Sequence, residues 1–145
     1  MVYSLPVLSA FVSPANVLLW SVAIAAILIY LPYCAVGFGR MQVGYDMGAP
    51  RAMFDKLPDY AQRATWAHQN SFESFSLYAP AALMGFVVGL APEQVVTTAA
   101  IYLASRMTYS LFYIVNVPVL RSLSWAISMG SIFTLYFHSC QAAFS

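Results

Sequence analysis

Four apolar runs are separated by one long polar stretch and two short breaks. Residues 15–37 carry no charge and, at about 1.5 Å of rise per residue, form a helix roughly 34 Å long, enough to cross a bilayer core. A second run, 62–91, opens with polar residues near Pro58 to Gln62 and carries no charge after Glu73. The third, 93–117, is interrupted by Arg106 and stopped by Pro118, and the fourth covers 120–144. Pro92 at a first helical position and Glu93 in the first turn suit a helix start. The brief link Gly89 to Glu93 makes the second and third helices antiparallel neighbours. No internal repeat is evident. The pattern predicts one all-α domain over 1–145, an integral membrane bundle of four helices.

Within the second and third runs the polar residues keep helical spacing. Arg63, Trp66, Asn70, Glu73 and Leu77 fall in one stripe at about 100° per residue, as do Tyr102, Arg106, Tyr109, Tyr113 and Asn116. Such edges face protein or a polar ligand rather than lipid, because unpaired charge at membrane depth is costly. Glu73 and Arg106 lie at comparable depth, so a direct ion pair and a ligand contact are both open to them. Arg106 is also within snorkelling reach of the membrane surface. Trp66 and Tyr113 suit either interface anchoring or ligand contact, and Asn70 suits a bridge between helices. His68 lies nearly opposite the second-helix stripe and serves a site only if that face meets a second subunit. Pro32 and Pro80 kink their helices and free backbone carbonyls.

Composition narrows the class. Of 145 residues 61% are hydrophobic and 8% charged, with a mean hydropathy of +0.73. Soluble domains carry about 25% charged residues, so membrane lipids are the expected surroundings. A net charge of +1 gives no reason to expect nucleic acid. All Lys and Arg fall in or near the 38–62 loop, on Arg106, or at Arg121 by the break between the third and fourth helices. The positive-inside rule then places the loop in the cytoplasm and both termini outside it. The N-terminus lacks the basic region of a removable signal peptide. Cys34 and Cys140 read as packing residues at opposite membrane faces. No CxxC pair, His/Cys cluster or glycine-rich phosphate loop points to a metal or nucleotide.

Arg40, Arg63, Arg106 and Arg121 gather in one half of the membrane with Asn70, Glu73, Tyr109 and Tyr113. Four guanidiniums against one intramembrane carboxylate suit a small anionic ligand held by bidentate contacts. For a thiol ligand, a nearby arginine favours the thiolate.

These motifs resemble the MAPEG superfamily, the membrane-associated proteins in eicosanoid and glutathione metabolism, in its bacterial form. The resemblance rests on Arg63-Ala, Ala67-His-Gln-Asn70 and Glu73, and on Arg106-Met-Thr-Tyr-Ser-Leu-Phe-Tyr113 followed by Pro118 and Arg121-Ser. It implies a left-handed four-helix bundle assembled as a homotrimer, with glutathione as co-substrate between subunits near the cytoplasmic face and a small hydrophobic electrophile entering from lipid. It implies microsomal-type glutathione transferase activity, or glutathione peroxidase activity. Arg121 would stabilise the thiolate, and Arg40, Arg63, His68, Asn70, Glu73, Tyr109 and Tyr113 would hold the tripeptide. The chain departs from the family pattern twice: Trp66 stands where an arginine is usual, and Arg121 is offset by about one position. Those departures favour the alternative of a non-catalytic membrane subunit or anionic-lipid scaffold.

Overall fold

A computed structural model describes residues 13–144. The all-α, four-helix architecture holds among these residues: α1 is Pro14–Gln42, α2 Asp59–Val88, α3 Pro92–Ile114 and α4 Pro118–Ala143. A short 3₁₀ turn, Phe54–Lys56, sits in the loop between α1 and α2. The expectation about a signal peptide concerns residues outside the described ones.

Each helix end has a local cause. Ser13 accepts a hydrogen bond from the Asn16 N–H at 3.3 Å, capping α1 ahead of Pro14. α1 runs five residues past the expected end at Gly37, so the loop is shorter than expected. Gly39 is needed there, since a Cβ on it would lie 2.5 Å from the Ala61 Cβ on α2. α2 ends at Gly89, whose φ of 68° lets the Leu90 N–H reach back to the Gly85 carbonyl at 3.0 Å. α3 stops at Ile114, three residues early. Asn116 has φ 59°, and the Val117 N–H closes on the Phe112 carbonyl at 2.9 Å. Asn116 is therefore a turn residue, not the last member of the α3 stripe. Pro118 then begins α4 at once.

α1 packs against α2 and α3, and α4 against the same two, placing α1 and α4 at opposite corners. α2 and α3 touch across the short diagonal, so the tight link does make them neighbours, but with the slightest packing of the five helix pairs. The buried face of α2 is not its polar stripe. Ala61, Ala64, Ala67, Ser71, Ser74, Ala81, Ala82 and Gly85 form it, with Tyr78 between. Small residues let helix backbones approach closely where lipid offers no hydrophobic drive for association.

At the centre the Tyr78 and Tyr102 rings stack 3.6 Å apart with planes 4° from parallel. The Tyr78 hydroxyl donates to Ser21 Oγ at 2.6 Å, and the Tyr102 hydroxyl meets Ser74 Oγ at 3.2 Å. Hydroxyls elsewhere satisfy themselves within their own helix, as Ser105, Ser128 and Ser131 do on carbonyls three or four residues back. That self-satisfaction makes α3 and α4 more polar in composition than in effect. By length and composition, α1 and α2 qualify as membrane-crossing helices.

Both internal prolines sit beside a recruited carbonyl. Three residues before Pro32, the Ile29 carbonyl accepts from His68 Nδ1 at 2.7 Å; three before Pro80, the Leu77 carbonyl accepts from the Tyr136 hydroxyl at 3.0 Å. A neighbouring helix thus supplies the donor where proline disturbs the ladder.

Candidate functional site

The tight α3–α4 turn brings the start of α4 back over the end of α3. Arg121, in the first turns of α4, lies with its guanidinium carbon 4.7 Å from the centre of the Tyr113 ring. Tyr113 meets Tyr109 edge-on at 5.5 Å, and Arg106 lies 4.2 Å over the Tyr109 ring. Two tyrosines in contact therefore stand between two guanidiniums along this edge. Asn70, Tyr109, Tyr113 and Arg121, with Ser122 and Trp125, line a cavity of about 230 Å³.

Arg106 does not snorkel. It is 4% exposed, with Nη2 donating to Asn70 Oδ1 at 3.2 Å and to Ser71 Oγ at 3.1 Å. Asn70 in turn donates from Nδ2 to Glu73 Oε2 at 3.0 Å. Of the options the sequence left open to Glu73 and Arg106, the single chain shows no direct pair but a relay through Asn70. Glu73 is exposed on the outer side of α2 while Arg106 points inward, and one carboxamide spans the gap by accepting from one and donating to the other.

Arg63 is used otherwise than expected. Its Nε donates to the Ile114 carbonyl at 3.0 Å, closing the C-terminal end of α3, where a cation suits the helix dipole. Trp66 is 43% exposed and packs against Phe54 at 5.6 Å and Tyr113 at 6.5 Å. An indole thus stands beside Tyr113 where the resemblance made a guanidinium usual.

Arg40 and His68 are not brought to this cavity. They line a second, about 650 Å³, between α1, α2 and the loop, together with Tyr33, Arg51, Phe54 and Phe72. The His68 carbonyl contact fixes hydrogen on Nδ1, so the neutral ring keeps Nε2 as an acceptor. Arg40 donates to the Tyr33 hydroxyl at 2.9 Å and lies near the Tyr33 and Tyr45 rings. Arg51, from the loop, also lines this space. The two cavities occupy different flanks of α2.

Three contributors to the Arg106–Arg121 edge were not among the site residues read from the sequence. Ser71 belongs to the buried stripe, where serine gives no signal of its own. Ser122 and Trp125 follow Arg121 by one and four residues, and the four-residue step to Trp125 was a readable cue.

A family model described as the MAPEG family matches residues 17–140. No curated protein and no solved structure matches the chain.

Proposed function

The chain belongs to the MAPEG family, membrane proteins of glutathione and eicosanoid metabolism, and from that membership we propose that it is a membrane-bound glutathione transferase acting on hydrophobic electrophiles at the cytoplasmic face. The observation that carries the reading is Arg121, held over Tyr113 on the wall of a cavity shared with Asn70 and Tyr109. A fixed guanidinium there stabilises a thiolate relative to the thiol. The sulfur then attacks an electrophilic carbon and forms the C–S bond, while the leaving group departs with its electron pair; Arg121 stays charged throughout. The same thiolate would reduce a lipid hydroperoxide, which is the peroxidase form of this reading.

The reading includes a homotrimer, and the split between cavities supports it. At about 230 Å³ the Arg121 cavity falls below the roughly 300–1,000 Å³ usual for ligand pockets. Arg40 and His68 sit on the other flank of α2, so a second copy is needed to bring them to the same ligand. Glu73 is exposed in the single chain, and a carboxylate at membrane depth calls for a protein neighbour. In this reading all four helices cross the membrane, with the 43–58 loop cytoplasmic and both termini on the far side.

The test is turnover of a chloronitrobenzene by purified protein with glutathione, comparing wild type with Arg121→Ala. Equal rates remove Arg121 from the mechanism. A second reading, a non-catalytic membrane subunit, is favoured by Trp66 in the usual arginine position and by the engagement of Arg63 Nε on α3. Calorimetric titration separates the two, because a scaffold gives no saturable heat with glutathione.

A further inference from the structure

We propose that the bundle interior binds one structural water molecule between α1 and α3, accepting from Arg106 Nη1 and donating to the Leu28 carbonyl. Arg106 is among the most buried polar residues, and its buried Nη1 has no hydrogen-bond partner among the described residues. A buried cationic N–H without an acceptor is costly, more so at membrane depth. Leu28, Ile29, Ser71 and Tyr102 line a cavity of about 10 Å³ together with Arg106, room for about one water and no second.

The α1 side of that cavity has an acceptor to offer. Pro32 has no N–H, so the carbonyl four residues earlier, on Leu28, loses its usual helical donor. The next carbonyl, on Ile29, is already served by His68. An unserved donor on α3 and an unserved acceptor on α1 thus belong to residues bordering the same one-molecule space. Only a guest that both accepts and donates satisfies the two. A halide would satisfy Arg106 but be repelled by the carbonyl, and a cation would be repelled by the guanidinium. Water meets both demands. With Nη1 so held, the guanidinium plane is fixed and Nη2 stays on Asn70 and Ser71. The proline break in α1 thereby acts on the Asn70–Glu73 edge without touching it. This inference stands independently of the transferase reading.

Crystals grown in a lipidic mesophase and diffracting to about 2 Å test it. The expected result is a peak about 2.7–3.2 Å from both Arg106 Nη1 and the Leu28 oxygen. In Pro32→Ala, residue 32 regains its N–H, the Leu28 carbonyl regains its helical donor, and the peak should lose at least half its occupancy. That variant removes a helix breaker and should fold. A wild-type site without density, an Nη1 bonded directly to protein, or a peak unchanged in Pro32→Ala overturns the proposal. An anomalous peak at this position after bromide soaking overturns it in favour of an anion.

Discussion

Replacing Asn70 by alanine removes the one side chain that joins Arg106 to Glu73, and its cost follows from the geometry. The substitution deletes an acceptor 3.2 Å from a buried guanidinium nitrogen and a donor 3.0 Å from an exposed carboxylate. A hydrogen bond to a charged group contributes roughly 1.5–3 kcal/mol in general, but cycles inside membranes average about 0.6 kcal/mol with a maximum near 1.7. Ser71 remains on Arg106 Nη2, which limits the loss, and the Glu73 bond is weakened by exposure. Together these give a destabilisation of about 2 kcal/mol, of which about 1 kcal/mol should appear as coupling between positions 70 and 106. Reversible unfolding in mixed micelles, followed by tryptophan fluorescence, measures both in a double-mutant cycle of Asn70→Ala with Arg106→Met. A parallel cycle pairs Glu73→Gln with Arg106→Met. If the relay is real, the 70–106 coupling exceeds the 73–106 coupling. A 70–106 coupling below about 0.3 kcal/mol, the scatter of independent sites, or the reverse order of the two, refutes it.

Three further outcomes are expected. Arg121→Ala should lower turnover of a chloronitrobenzene with glutathione by about 100-fold, the usual scale for losing one charge-stabilising donor, with Arg121→Lys intermediate. Gly39→Ala should weaken the α1–α2 contact and destabilise by about 1–3 kcal/mol through overpacking against Ala61, although alanine favours helix over glycine; a gain in stability on unfolding would show that the helices part easily. Tyr78→Phe should cost about 1–2 kcal/mol by leaving Ser21 Oγ without its donor, whereas Tyr136→Phe, on the more exposed Leu77 carbonyl, should cost less in the same assay.

Much of the secondary structure was legible because lipid leaves helices few ways to satisfy their backbones. Long apolar runs bounded by Pro92, Pro118 and Gly89 therefore read directly as helices. Misreadings came where local signals competed with packing. The first run looked finished at Gly37, but the helix continues and Gly39 serves the approach of α2. Asn116 kept helical register with Tyr113 yet adopts a left-handed turn.

The sequence by itself determined four helices and the residues sharing a stripe on each, since a period of 3.6 residues sets angular position along one helix and nothing else. Which helix each stripe meets was decided only by the tertiary structure. It buried the small-residue face of α2 rather than the polar one, turned Arg106 inward onto Asn70 and Ser71, and sent Arg63 to the Ile114 carbonyl. It also placed Arg40 and His68 in a different cavity from Arg121. Hydrogen bonds form between atoms about 3 Å apart, and distances between helices are properties of packing that no periodicity along a single chain encodes.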